Sequence, residues 1–200
     1  MTDNMCNKPK VNGAKKTTDN RFLNMYELDA QRRDGTEFSY QVASRAKDID
    51  DLAVWNGKVK AHAVAVLGTY NDKLVLIKQY RYPIGDYVYE LPAGLIDYDE
   101  GVIAAAKREM FEETGLKFIP NKTRWNIRPW LSSPGMTDEA CAIIAGECYG
   151  TPTNENQEDS EDIQVVLADK KEAIRILNEK IVDIRTAMAI IMVFNLFEYK

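Results

Sequence analysis

Alternating and helical hydrophobic periods divide the chain into a short series of elements. Residues 22–28 and 36–42 alternate apolar and polar side chains on either side of Arg33-Asp34-Gly35, a tight-turn sequence, and so predict an antiparallel hairpin. Residues 61–70 and 73–80 repeat the pattern around Asn71-Asp72, and the second run is aliphatic and β-branched enough to predict a central strand. Residues 87–91 predict a further strand. Downstream, 123–131, 139–148 and 162–167 read as strands; Asp169 opens a helix running through Ile174 and Leu177, and 184–197 has the apolar density of a packed helix. Strands and helices mixed in this way predict an α/β or α+β sandwich, with a mixed central sheet flanked by helices and the hairpin ahead of it.

Between the fifth and sixth of these strands the period changes to a helical one. From Val102 to Thr114 there is no Gly or Pro, and Gly115 stands where a left-handed C-terminal cap is expected, so a helix should begin near Gly101. Asp97, Asp99 and Glu100 precede it, where the helix dipole favours negative charge. Ile103, Ala106 and Met110 make an apolar stripe, while Glu109, Glu112 and Glu113 lie three and four residues apart and share another face. Carboxylates so placed repel each other unless a cation neutralises them, and hard oxygen ligands suit Mg²⁺ or Mn²⁺ better than Zn²⁺. The plainer alternative is a solvated acidic face partly compensated by Lys107 and Arg108.

Composition narrows the class. Two hundred residues with 45% hydrophobic content can build one cored domain with a small appended piece. The lysine-rich residues 1–20 predict a mobile tail, 21–52 a hairpin region and 58–200 the main domain. The net charge of −5 and the lack of a concentrated basic run argue against nucleic acid as partner. No apolar run approaches a membrane span and the N-terminus is polar, so a cytoplasmic protein is expected. Cys6, Cys141 and Cys148 lack metal-ligand spacing and read as free thiols. His62, the single histidine, reads as a strand residue.

The order Gly94, five residues, Glu100, seven residues, Arg108-Glu109-Met110-x-Glu112-Glu113-x-Gly115-Leu116 resembles the Nudix box at every defining position. The run Gln79 to Asp97 and the segment Ser132-Ser133-Pro134-Gly135 resemble those of the ADP-ribose (ADP-sugar) pyrophosphatases in that family. The resemblance implies Mg²⁺, with Mn²⁺ as alternative, held by Glu109, Glu113, Glu112 and the Ala93 carbonyl, with Arg108 orienting the glutamates. It implies a general base in the acidic loop 154–162; Glu161 matches best, with Glu158 and Asp159 as alternatives and Glu112 as a further catalytic carboxylate. Substrate contacts fall on Arg81, Pro134, Gly135, Glu139 and Arg185, with Phe38 or Tyr40 in the place of the family's base-stacking tryptophans. The reaction implied is hydrolysis of ADP-ribose to AMP and ribose 5-phosphate by a homodimer completed through the N-terminal hairpin. GDP-mannose, another nucleotide, or nucleotide sensing without cleavage are the alternatives.

Overall fold

The computed structural model describes residues 8–57, 59–123, 126–157 and 162–197. The chain forms two compact units, one of residues 1–60 with 130–140, the other of 61–129 with 141–200.

In the first unit β1 (Lys10–Lys16), β2 (Asn24–Gln31) and β3 (Glu37–Ser44) make an antiparallel sheet in that order. The predicted hairpin is β2–β3. The tail expected over 1–20 needs correcting, because 10–16 is a strand. Its apolar content is only Val11 and Ala14, too little to show as a pattern; it is held by backbone pairing to β2 and by those two side chains packing on Tyr26, Leu28 and Leu52. A 3-10 turn at Ile49–Asp51 and the short helix α1 (Ala53–Asn56) follow. Tyr26, fully buried, donates to the Ala46 carbonyl (2.6 Å), and its burial raises its pKa.

The second unit begins with β4 (Ala63–Tyr70) and β5 (Lys73–Arg81), joined through Asn71 and Asp72 at φ of 48° and 63°, the left-handed pair of a tight hairpin. His62 sits one residue ahead of β4, its carbonyl accepting from Ile96 (3.0 Å). In chain order there follow β6 (Asp86–Glu90), β7 (Ala93–Leu95), α2 (Val102–Thr114), β8 (Lys117–Pro120), β9 (Pro129–Leu131, of which 130 and 131 belong to the first unit), β10 (Ala140–Tyr149), β11 (Ile163–Ala168), α3 (Lys170–Glu179) and α4 (Ile184–Val193). The sheet runs β11-β5-β4-β10-β8, with β6 on β5 and β7 on β4. Strands β4 and β10 are parallel and the other pairs antiparallel, so the sheet is mixed.

The alternation along β4 and β5 sorts the core into two layers. Val64, Val66 and Val75 face α2 through Ala105, Ala106 and Met110. Ala65, Leu74 and Leu76 face α3 and α4 through Ala173, Ile176, Ala189 and Ile190. A helix–sheet–helix sandwich results. Asp169 and Asp183 accept from the backbone of Glu172 and Thr186 as N-caps of α3 and α4.

Two expectations fail locally. The strand expected over 123–131 is only β9, because the Asn126 side chain bonds the Asn121 carbonyl (2.6 Å) and the Ala145 amide (3.2 Å), drawing the chain into a turn. Helix α4 stops at Val193 rather than Phe197. Asn195 takes φ of 50° while Leu196 and Asn195 donate back to Ile191 and Met192, a Schellman end. Among the described residues no helix is long and apolar enough to cross a membrane.

Candidate active site

Gly101 and Gly115 cap helix α2, and the φ of 70° at Gly115, with the 2.4 Å at which a Cβ there would meet Thr153 Cγ2, requires the absence of a side chain. The apolar stripe of α2 is pressed on the sheet, which turns the polar face toward the loop from Leu95 to Glu100. Arg108 organises that face. A guanidinium carries five N–H groups, and here each has a partner: Nε and Nη2 grip Glu100 (3.0 and 2.8 Å), Nη2 also meets the Leu95 carbonyl (2.9 Å), and Nη1 bridges Glu109 (2.8 Å) and Glu112 (2.9 Å). Hydrogen bonding, to Glu100 above all, holds the Arg108 pKa above its ordinary range, and the Arg108 guanidinium holds that of Glu100 below its own. Two of the three like charges foreseen on this helix face, Glu109 and Glu112, are thus gathered on one cation.

Gly94 makes room for the arrangement. A Cβ there would lie 2.0 Å from Glu109 Oε1, so the carboxylate rests directly against the backbone of β7. Glu113, buried to 1% exposure, accepts from the Ala93 amide (2.9 Å) and ties β7 to the helix. A cavity of about 430 Å³ opens here, lined by Ala93, Gly94, Leu95, Asp97, Arg108, Glu109 and Glu112 and by Gln79 and Arg81 of β5. Arg81 donates through Nε to buried Glu90 (2.6 Å). Neither of its Nη groups has a partner among the described residues.

A cavity lined by glutamates of a Gly-x5-Glu-x7-Arg-Glu-x3-Glu segment and by an arginine of β5 points to a family. Residues 59–184 match the NUDIX domain model. The chain belongs to the Nudix family. Relatives include the putative nudix hydrolase 2 of Caenorhabditis elegans, 37% identical over 48% of this chain and 45% of that one. The methanol dehydrogenase activator of Bacillus methanolicus is 30% identical, and the ADP-ribose pyrophosphatase of Bacillus subtilis 28%; each match spans 71% of this chain and 80% of the relative. A solved ADP compounds hydrolase shares the fold, at a TM-score of 0.68 and 20% identity over 94% of both chains. The protein is a Nudix hydrolase, of the class that acts on pyrophosphate bonds.

The donor set of this Nudix site fits a hard divalent cation. Glu109, Glu112 and the Ala93 backbone supply oxygen atoms along one cavity. Among the described residues no three acidic, His or Cys side chains converge on one point. Carboxylate and carbonyl oxygens suit Mg²⁺, which keeps several waters and takes one or two carboxylates plus substrate phosphate rather than a closed protein cage. Glu113 differs from its two neighbours in being buried behind the cavity wall, with one oxygen bonded to Ala93.

The remaining predicted residues divide between the units. Arg81 and Arg108 share the cavity; Arg185 does not line it, and donates instead to Asp183 at the start of α4 (2.8 Å). In the first unit the Tyr40 hydroxyl donates to the Gly135 carbonyl (2.7 Å), Phe38 stands edge-on to Tyr40 beneath the Arg32 guanidinium, Pro134 is exposed in the same turn as Gly135, and Glu139 pairs with Arg45 (2.7 Å). Glu161, Glu158 and Asp159 lie outside the described residues. The flanking positions are tied down: Gln157 bonds the Glu113 and Ile163 carbonyls (3.4 and 3.0 Å), and Asp162 accepts from Tyr87, whose pKa that bond raises. Sequence reasoning missed Glu90 and Gln79. Both are buried polar residues whose parts are set by the neighbouring strand rather than by the pattern of their own.

Proposed function

We propose that the protein hydrolyses the pyrophosphate bond of a nucleoside diphosphate sugar with Mg²⁺, ADP-ribose being the preferred substrate and AMP and ribose 5-phosphate the products. The observation that carries this is the two-sided cavity: glutamates and a main-chain carbonyl on one wall, and on the other an arginine pinned at Nε with its Nη groups available for phosphate oxygens. The pyrophosphatase names among the relatives support the choice of substrate.

Glu109, Glu112 and the Ala93 carbonyl would hold the cation, with Glu113 keeping β7 in place behind them. When bound, Mg²⁺ supplies charge neutralisation on the diphosphate and acidifies water. Arg81 draws the diphosphate to the opposite wall by charge-assisted bonds, oriented because Glu90 fixes its stem. Arg108, fully bonded, does not reach for substrate; it holds Glu109 and Glu112 in register. Water adds to one phosphorus, the bridging oxygen leaves with the other phosphate, and a carboxylate of the acidic loop, Glu161 by position, takes the proton. The Pro134–Gly135 turn, Phe38, Tyr40 and Glu139 serve base and ribose recognition, Arg185 serves the substrate from the α4 end, and a homodimer is the working form. Light scattering that gave a fully active monomer would remove the dimer from this reading.

The test is release of AMP or GMP from ADP-ribose, ADP-glucose, GDP-mannose and nucleoside triphosphates, each with and without Mg²⁺. ADP-ribose should lead in kcat/KM and require the metal. A lead for GDP-mannose or a triphosphate would overturn the substrate; no turnover of any would move the protein to nucleotide sensing.

A further inference from the structure

Gln79 lies on β5 two residues before Arg81, so both side chains leave the same face of the strand and both line the cavity. Its direct partners across the sheet are Val88 of β6 and Ile163 of β11, and its neighbour along β6 on the same face is Glu90, which engages Arg81 instead. The residue is 92% buried, being 8% exposed, and its Oε1 is shut off from solvent without a hydrogen-bond partner among the described residues. A buried carbonyl oxygen left in that condition destabilises the fold, because it has given up water without gaining a donor. A protein keeps such an atom where something brought to the site completes it.

The cavity restricts what that is. Its charged walls are carboxylates, which donate nothing when ionised, and arginines, of which Arg108 has no N–H to spare and Arg81, bonded to Glu90 through Nε, makes no bond to Gln79. A diphosphate is itself an acceptor near neutral pH. The donor therefore arrives with protons of its own, and a partly hydrated divalent cation between Glu109 and Glu112 carries them, since Mg²⁺ sheds its waters reluctantly and polarises their O–H bonds.

We infer that Gln79 is a positioning residue for that cation, its side-chain oxygen accepting from the hydration shell across the cavity from Glu109 and Glu112. The inference rests on the metal-dependent reading of the site and assigns β5 a share in metal binding that the glutamate helix would otherwise hold alone. Gln79 then fixes which waters the cation keeps, while Arg81 two residues on fixes the diphosphate, so one strand orients both.

Two substitutions separate this from packing and from phosphate contact. Gln79→Leu keeps the size and removes the acceptor; Gln79→Glu keeps acceptors and removes the donor. Mn²⁺ affinity of the substrate-free protein, read by the electron paramagnetic resonance of free Mn²⁺, should fall about 10-fold or more in Gln79→Leu. It should be kept or raised in Gln79→Glu, with unaltered near-ultraviolet circular dichroism in both. Unchanged Mn²⁺ affinity in Gln79→Leu would overturn the inference and leave the proposed reaction standing. So would a Gln79→Glu protein whose KM rises steeply at unaltered Mn²⁺ affinity, which would make the amide a phosphate donor. Failure of the unsubstituted protein to bind Mn²⁺ at all would overturn both.

Discussion

The two arginines that line the cavity stand in opposite conditions. Arg108, on α2, spends all five N–H groups on Glu100, Glu109, Glu112 and the Leu95 carbonyl. Arg81, on β5, spends one, on Glu90. A saturated guanidinium cannot bind substrate without breaking what it holds, whereas one pinned by its stem presents a fixed fork to an incoming anion at small entropic cost. The comparison assigns scaffold work to the helix wall and capture to the strand wall. It also shows how the helix tolerates so many carboxylates: Arg108 draws Glu109 and Glu112 to one guanidinium nitrogen and offsets their repulsion.

Breaking the helix wall should cost most. Glu109→Gln removes a charge from the cavity without changing shape, and turnover should fall on the order of 10³-fold, equivalent to about 4 kcal/mol, with the melting temperature little changed. Arg108→Ala should lower activity and also destabilise the fold by about 3 kcal/mol, measurable in urea, because three carboxylates lose their shared counter-charge. Arg81→Ala sharpens the contrast. Its loss should appear in KM, raised about 10-fold to 100-fold for the removal of charge-assisted bonds, with less change in kcat or stability. If Arg81→Ala unfolded the protein and Arg108→Ala spared it, the division of labour would be reversed.

Smaller effects test the supports of each wall. Gly94→Ala would force the Glu109 carboxylate off the backbone of β7, and a loss of about 1–3 kcal/mol with lowered activity is expected. Glu100→Gln loses its charge-assisted grip on Arg108, worth about 1–2 kcal/mol. The folded Glu100 pKa lies below its ordinary 4.5, so its contribution is present in full above that value and is lost as pH falls through the depressed one. The stability gap between the two proteins, followed by thermal unfolding from pH 7 downward, should therefore close in acid. A gap that widened there would show that Glu100 is not the residue held in the charged form.

What the amino-acid pattern revealed follows from how local each determinant is. The ends of α2 were legible because Gly101 and Gly115 act within one turn, and the shared face of Glu109, Glu112 and Glu113 because it depends on helical spacing alone. Strands β1, β7 and β8 were not, since Lys10–Lys16 is polar and the other two are only 3 and 4 residues long, so pairing rather than periodicity makes them strands. The run 123–131 misled because Asn126 acts through its side chain on residues 121 and 145, which spacing does not reveal. The parts of Glu90 and Gln79 depend on cross-strand register, in which Arg81 leans back over Val88; a single strand read by itself carries no trace of it.

The claim beneath these comparisons is that the helix wall holds a cation with which the protein cleaves a nucleotide diphosphate. Its most direct test is the rate of AMP release from ADP-ribose as Mg²⁺ is removed with a chelator and restored by titration. Turnover should vanish without metal and return in full as Mg²⁺ is added back. Metal-independent AMP release by the unsubstituted protein would contradict the account.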